Sequence, residues 1–193
     1  SLLICIILPF GDNNVILDLN LGIIFIFAIS SINIYAILIS GWSSNSKYAF
    51  LGSLRAAAQM ISYEVCLSLI IFSCILCSSS LNISSIINSQ CQSISYIIPL
   101  WPIALMFFIA SLAETNRAPF DLTEGESELV SGYNVEYSSM SFALFFLAEY
   151  SHIIFMSMLF VVLFFGNVTN SLMKVDFIIF IKLIFLIFFF IFF

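Results

Sequence analysis

The sequence predicts an all-α fold, a polytopic bundle of transmembrane helices with about five full spans. Three observations support this prediction: 62% of the 193 residues are hydrophobic, only 8% are charged, and the mean hydropathy is +1.17. A soluble domain needs far more charge on its exterior. The apolar runs are continuous rather than alternating, which favours helices over transmembrane strands. We therefore expect one membrane domain over residues 1–193, surrounded by a lipid bilayer.

Five apolar segments are candidates for the spans, because a helix needs about 20 residues to cross the hydrocarbon core. Gly41 follows the first segment and is interpreted as a helix stop. The regions 43–55 and 79–95 are interpreted as loops, and the first of them carries Lys47 and Arg55. The predicted spans cover approximately residues 19–40, 57–78, 96–113, 139–165 and 175–193.

An acidic loop, residues 114–138, separates the third and fourth predicted spans. It contains six of the eleven acidic residues of the chain and one basic residue, Arg117. Such a segment cannot face lipid, because each carboxylate would lose its hydration without a counter-charge. It must lie at a membrane face, in a water-filled cavity or under another protein. Lys47, Arg55 and Arg117 fall on the side of this loop and Lys174 on the other, which favours the matrix or cytoplasmic side for the loop.

Composition and motif spacing argue against several function classes. A net charge of −6 argues against nucleic-acid binding, which needs clustered Lys and Arg. Cys74 and Cys77 form a C-x-x-C pattern without a second ligand pair, so small apolar helix residues explain them better than a metal or redox site. His152 is the only histidine of the chain, and no Cys/His cluster accompanies it. We therefore predict no metal site, and no motif supports a nucleotide-binding enzyme or a hydrolase.

Three acidic residues are candidates for proton transfer because they fall within predicted spans or at their ends. Glu64 lies about two turns into the second span, where Ser68 at i+4 could hydrogen-bond it. Glu149 lies deeper in the fourth span, with His152 at i+3, and Glu114 ends the third. Ionisable groups within a membrane are costly and by default functional, and buried carboxyl groups can exchange protons near neutral pH. The alternative is that each acid is hydrogen-bonded to a neighbouring helix and has only a structural role.

Three further residues are interpreted from their surroundings in the sequence. His152 either shares a proton with Glu149 or is hydrogen-bonded packing. Lys182, inside the last span, either extends to the membrane interface or pairs with an acid of another helix. Arg117, surrounded by carboxylates, is interpreted as an ion-pair partner that fixes the acidic loop.

The acidic loop also carries a recognisable sequence. Residues 114–137 read Glu-Thr-Asn-Arg-Ala-Pro-Phe-Asp-Leu-Thr-Glu-Gly-Glu-Ser-Glu-Leu-Val-Ser-Gly-Tyr-Asn-Val-Glu-Tyr. This stretch resembles the signature loop of the family of NADH–ubiquinone oxidoreductase chain 1, a membrane component of respiratory complex I with bacterial counterparts. Residues 41–48 resemble the second signature of the family, and residues 54–56, 59–65 and 142–150 also fit. The match runs essentially from residue 15 to residue 166.

The resemblance implies a role for each candidate residue. In this family the glutamates that match Glu64, Glu114 and Glu149 belong to an acidic path between the quinone cavity and the antiporter-like subunits. Ubiquinone is then a substrate, and no cofactor is expected in this chain, because the terminal iron–sulfur cluster lies in a neighbouring subunit. At Ser151-His152 the chain departs from the small and amide residues that are usual in the family, so the resemblance implies no role for His152. The positions around the quinone cavity correspond to Arg55, Arg117, Asp121, Glu124, Glu126, Glu128 and Glu136.

The resemblance thus predicts a subunit of the proton-translocating enzyme NADH:ubiquinone oxidoreductase, multi-pass in the mitochondrial inner membrane, with the acidic loop on the matrix side. The expected partners are the terminal iron–sulfur and quinone-site subunits of the peripheral arm and the small membrane subunits beside the antiporter-like ones. Family members are longer, with about eight spans against the five predicted here, and the N-terminal helices and the final helix of the family have no counterpart in this sequence. We therefore also expect a second polypeptide that supplies them, as in a divided gene. The alternatives are the homologous subunit of a plastid or hydrogenase-type complex, a stand-alone cation/proton transporter and a purely structural anchor.

Overall fold

The computed structural model describes residues 3, 6–9, 16–117, 119, 120, 137–166 and 175–192, with the backbone alone at 175–178. Within these ranges the regular elements are helices, which confirms the predicted all-α class. The helices are α1 (Gly22–Ser43), α2 (Lys47–Ser78), α3 (Ile83–Gln92), α4 (Trp101–Glu114), α5 (Ser139–Phe160) and α6 (Val175–Phe192). Helix α5 continues through a π-helical segment, Val161–Phe165.

Three of the described helices are long and apolar enough to cross a membrane: α1, α2, and α5 with its π-helical extension. The 22 residues of α1 correspond to a length of about 33 Å, close to the thickness of a bilayer core. Helix α4 and residues 179–192 of α6 are shorter apolar helices. This pattern is that of a polytopic membrane bundle, as the sequence predicted.

Helix α2 begins at Lys47, whereas the sequence predicted a loop over 43–55 and a helix from residue 57. The charges of Lys47 and Arg55 suggested an aqueous loop, but Ser46 caps a helix here, since its side chain accepts a hydrogen bond from the Ala49 amide at 3.3 Å. A 32-residue helix is about 48 Å long, which exceeds the hydrocarbon core and leaves its first turns room to lie outside it. The connection between α1 and α2 is therefore only a short turn.

Gly41 lies inside α1, which ends at Ser43, so its predicted role as a helix stop was wrong. A Cβ atom at Gly41 would collide with the side chain of Ser53 on α2. The facing part of α2 buries small residues, Ala49, Gly52, Ser53, Ala56 and Ala57. Gly41 is thus required because the two helices approach each other closely.

The predicted loop over 79–95 contains the short helix α3, which is capped by Asn82, whose side chain accepts a hydrogen bond from the Ser84 amide at 2.9 Å. Gln90 of α3 is buried and donates from Nε2 to the carbonyls of Val162 and Leu163, at 3.2 and 3.0 Å. These carbonyls belong to the π-helical segment, where the chain leaves α5. Gln90 of α3 therefore provides hydrogen bonds to backbone carbonyls at the end of another helix, at the end of the bundle opposite the acidic loop.

Aromatic packing joins α4, the second half of α5 and α6. The ring centroid of Phe107 lies 5.7 Å from that of Phe160 and 5.6 Å from that of Phe164, and Phe108 lies 4.9 Å from Phe190. Helix α5 is largely buried from His152 onwards, whereas its first half is not. This difference leaves space between α1 and the beginning of α5, on the side of the acidic loop.

Candidate functional site

A cavity of about 360 Å³ occupies the space between α1 and the first half of α5, and the end of α4 and Met60 of α2 complete its wall. It extends from Tyr137, at the end of the acidic loop, to Ser30, near the middle of α1. Apolar residues such as Ile29, Ile37 and Leu144 form part of the lining. The polar side chains that line the cavity are Ser30, Asn33, Glu114, Asn116, Tyr137, Ser141, Glu149 and His152.

Two of the three acids predicted to transfer protons, Glu114 and Glu149, line this cavity from different helices. Glu114 is the last residue of α4 and only 4% exposed, and its Oε2 atom has no hydrogen-bond partner among the described residues. Glu149 belongs to the first half of α5. The acidic loop separates the two residues in sequence, and the fold brings them to one cavity.

The third acid, Glu64 of α2, is connected to the cavity by Ser30. The Ser30 hydroxyl lies 2.8 Å from Glu64 Oε1 and 2.9 Å from the carbonyl oxygen of Phe27. The predicted partner, Ser68, instead donates its single hydrogen to the carbonyl of Val65 at 2.7 Å. The prediction of Ser68 was thus wrong, because a serine in a helix readily bonds to the preceding turn. Ser30 was missed, since nothing in its apolar surroundings distinguished it.

His152 contacts an acid that its spacing in the sequence did not predict. Its Nε2 atom lies 3.5 Å from Glu114 Oε1, and both residues are buried. This distance is at the outer limit of a hydrogen bond and fits an ion pair when the imidazole is protonated. The ring stacks on Phe155, with 5.8 Å between centroids. The sequence suggested Glu149, three residues earlier, as the proton partner.

The two arginines assigned to the quinone cavity by resemblance differ in position. Arg117, just after α4, places its guanidinium carbon 5.1 Å from the ring centroid of Tyr150, a cation–π contact with α5. Arg55 is exposed on α2. The predicted ion pair between Arg117 and the loop remains a prediction, because the remaining loop acids lie outside the described residues: Asp121, Glu124, Glu126, Glu128 and Glu136.

Comparison with known proteins identifies the family. The sequence model of the family described as NADH dehydrogenase matches residues 1–193. The chain belongs to this family. It is 66% identical over 161 residues to NADH-ubiquinone oxidoreductase chain 1 of Metridium senile and 59% identical over 161 residues to the protein of that name from Chondrus crispus. A subunit of the NADH-quinone oxidoreductase of Rhodospirillum rubrum is 55% identical over 161 residues. The resemblance predicted from the loop is confirmed.

The same comparisons define how much of these relatives the chain covers. Each alignment includes 83% of this chain. It includes 48% of the Metridium and Rhodospirillum proteins and 49% of the Chondrus protein. This member of the NADH dehydrogenase family therefore spans about half the length of the relatives it matches.

One end of the acidic loop is held to α2 by Gln59. Its Nε2 atom donates to the carbonyls of Ala113 and Phe120, at 2.8 and 3.0 Å. Ala113 precedes the last residue of α4, and Phe120 is the last described residue before the undescribed part of the loop. This role could not be predicted, because a single amide in a helix does not indicate which carbonyls it will meet.

The other end of the loop is held to α1 by Tyr137. Its hydroxyl donates to the carbonyl of Ser40 at 2.8 Å and lies 2.7 Å from Ser43 Oγ. Its ring packs edge-on against Phe145, with 5.1 Å between centroids. Since Tyr137 also lines the cavity, it joins the loop, α1 and the site.

Two other sequence features lie away from the cavity. Lys182 places its Nζ atom 3.4 Å from the carbonyl oxygen of Gly166 and 5.5 Å from the ring centroid of Phe165, where the π-helical segment ends. Cys74 is buried whereas Cys77 is exposed. In the described part of the chain, no group of three or more His, Cys, Asp or Glu side chains is arranged to hold a metal ion.

Proposed function

We propose that the chain is a core membrane subunit of respiratory complex I in the mitochondrial inner membrane. In this proposal it forms part of the ubiquinone cavity and of the acidic path that links NADH-driven quinone reduction to proton translocation. The names of the relatives, which are components of NADH-ubiquinone and NADH-quinone oxidoreductases, support this assignment. The proposed partners are the terminal iron–sulfur and quinone-site subunits and the small membrane subunits beside the antiporter-like ones.

The proton path is supported by one observation above all: Glu114 and Glu149 line a single cavity whose wall also contains the serine bonded to Glu64. A cavity of about 360 Å³ has room for on the order of ten water molecules, since each occupies about 30 Å³ in the liquid. Its polar lining supplies the hydrogen-bond partners that such water requires. Water in this cavity would carry protons between acids that do not touch each other directly.

In this path Ser30 exchanges hydrogen bonds when Glu64 changes its charge. A hydroxyl has one hydrogen, so it cannot donate to Glu64 and to the Phe27 carbonyl at the same time. When Glu64 is ionised, Ser30 donates to the carboxylate. When Glu64 is protonated, its O–H donates to Ser30 Oγ, and the serine donates to Phe27. A proton passes from the cavity to Glu64 when a cavity water donates a proton to Ser30 Oγ and the original hydroxyl hydrogen moves to Glu64 Oε1. The serine is neutral before and after this exchange.

Ser30→Ala is expected to lower coupled turnover by about tenfold, because a hydrogen bond to a charged group contributes about 1.5–3 kcal/mol and each 1.4 kcal/mol is a factor of about ten in rate. The measurement is NADH:ubiquinone turnover with simultaneous proton translocation in vesicles. Ser31→Ala is the matched control, since Ser31 donates to the carbonyl of Ala28 and is not among the residues that line the cavity. Equal turnover in the two variants would exclude Ser30 from the path.

The assignment to complex I is tested by mild solubilisation, native electrophoresis and mass spectrometry of the band that oxidises NADH. We expect this chain to migrate with the iron–sulfur subunits. A plastid or hydrogenase-type complex would be distinguished by its partner subunits and its quinone. Migration of the chain alone, together with ion transport by the purified chain, would replace the proposal with a stand-alone cation/proton transporter.

We also propose that the acidic loop faces the matrix. Helix α3 and the end of α2 lie at the opposite end of the bundle, where Cys77 and Cys91 are exposed. A membrane-impermeant thiol reagent is therefore expected to label these two cysteines when it is added to intact mitoplasts. Cys74 is buried and serves as the internal control. The label should be lost in a Cys77→Ser/Cys91→Ser variant, and labelling only from the matrix side would reverse the proposed orientation.

A further inference from the structure

We propose that His152 is a second proton carrier in the cavity and exchanges its proton directly with Glu114. The pair, rather than Glu114 alone, then holds the proton that crosses from α4 to α5. This inference rests on the proposed function, because it assigns a step within the proton path.

The geometry carries this proposal. His152 Nε2 lies 3.5 Å from Glu114 Oε1, and the two residues are 6% and 4% exposed. Both line the cavity. His152 Nε2 and Glu114 Oε2 have no hydrogen-bond partner among the described residues, although buried polar atoms normally have one. His152 Nε2 is therefore available to exchange a proton with Glu114 Oε1, and Glu114 Oε2 is available to exchange one with water.

The two side chains are held on separate helices. His152 begins the buried half of α5, and its ring stacks on Phe155. Glu114 ends α4, where the backbone amide of Thr115 donates to the Ser111 carbonyl at 3.0 Å and continues the helical bonding. The 3.5 Å separation exceeds the ordinary hydrogen-bond distance of about 2.9 Å by about 0.6 Å. In this proposal a small movement of the two side chains closes this gap.

The pair has two states of equal charge that share one proton. In the first, His152 is an imidazolium and Glu114 a carboxylate. In the second, the Nε2–H bond has broken, an O–H bond has formed on Glu114 Oε1, and both groups are neutral. Water in the cavity resets the pair by giving a proton to one member and taking a proton from the other. No change of net charge in the cavity accompanies the direct transfer.

Histidine also changes the electrostatics of the cavity. Of the described residues in the lining, His152 is the one that can carry a positive charge, and it shares the cavity with the carboxylates of Glu114 and Glu149. Opposite charges attract more strongly on buried side chains, such as those of His152 and Glu114, than in bulk water. Among the described residues, the charged or titratable groups on the elements around the pair are Glu149 on α5, Tyr137 before α5, Glu64 on α2 behind Ser30, and Arg117 after α4, whose guanidinium contacts Tyr150.

The test compares His152→Gln with His152→Asn in the intact complex. The glutamine amide reaches the position of Nε2 and keeps a neutral donor there, whereas the asparagine amide is too short to reach it. If His152 is a proton carrier, both variants lower coupled turnover by about tenfold or more, because neither amide can take up and release a proton. If His152 only packs against Glu114, His152→Gln keeps the wild-type turnover, and the inference is overturned.

A double-mutant cycle with Glu114→Gln gives an independent measurement. We expect His152→Gln/Glu114→Gln to be no slower than Glu114→Gln alone, because the two residues act as one unit. Effects that multiply would contradict the proposal. Where the double variant does not accumulate, infrared difference spectra between acidic and alkaline samples are compared for the wild-type and His152→Gln complexes. The carboxyl signal of Glu114 differs between them if the pair shares a proton and is the same if it does not. Absence of the chain from the NADH-oxidising band would refute the proposed function, whereas the infrared result decides the histidine–glutamate pair.

Discussion

Glu149→Gln is expected to lower coupled NADH:ubiquinone turnover and proton translocation by at least about tenfold, because a positioned acid or base typically contributes more than this. Glutamine has nearly the same shape and keeps hydrogen-bonding capacity, but it cannot exchange a proton. Glu149 lines the cavity, and the same reasoning applies to Glu64, which Ser30 links to it. Glu64→Gln is therefore expected to have a similar effect, and the complex should assemble normally in both variants.

Two controls separate a loss of proton transfer from damage to the complex. Oxidation of NADH by an artificial acceptor that takes electrons before the membrane arm should be unchanged. Asp18→Asn alters an exposed acid at the other end of the bundle, where it accepts a hydrogen bond from Ser84 at 3.2 Å, and should leave turnover unchanged. Wild-type proton translocation in Glu149→Gln and Glu64→Gln would contradict the proposed relay.

Gly41→Ala is expected to destabilise the pairing of α1 and α2, and with it the accumulation of the assembled complex. The added methyl group would collide with the side chain of Ser53 and lie 3.2 Å from the carbonyl oxygen of Ala49. Insertion of a methyl group into a packed contact costs about 1–3 kcal/mol, because the surrounding backbone must shift. The measurement is the amount of assembled complex on native gels and its resistance to heat.

The compensating variant is Gly41→Ala/Ser53→Gly, which adds a methyl group on α1 and removes the side chain on α2 with which it would collide. It should recover most of the lost assembly, less the cost of about 1 kcal/mol for glycine inside a helix. Ser53→Gly alone measures that cost. If the double variant assembles no better than Gly41→Ala, the close approach of α1 and α2 is not the reason for glycine at this position.

The long apolar helices and the family could be predicted from the sequence because the signals that define them are local. Continuous apolar runs indicated membrane helices, and the order of residues in the acidic loop indicated the family. The start of α2 was missed for the opposite reason. Lys47 and Arg55 suggested a loop, whereas the Ser46 cap and the close packing of small residues extend the helix to this end. Helix α3 was missed because its short, polar sequence is stabilised by contacts with the end of α5.

The candidate site shows a similar division. Ionisable residues in apolar surroundings marked Glu64, Glu114 and Glu149 as candidates, since such residues are rare in membrane helices. The position of Glu114 and Glu149 in one cavity, with Glu64 linked to it by Ser30, could not be predicted. It depends on how helices far apart in sequence are arranged. For the same reason, spacing pointed from His152 to Glu149, whereas its described contact is with Glu114. The roles of these acids and of the five undescribed loop acids remain predictions.

The bonds that hold the two ends of the acidic loop have a consequence for how this region can change during evolution. Gln59 fixes Phe120 to α2 and Tyr137 is fixed to α1, so the helices determine where the segment 121–136 begins and ends. A substitution at Gln59 or Tyr137 should therefore displace the ends of this segment even where every residue of the segment is kept. Evolutionary change at these two positions, one on α2 and one before α5, is thus restricted together with the segment itself.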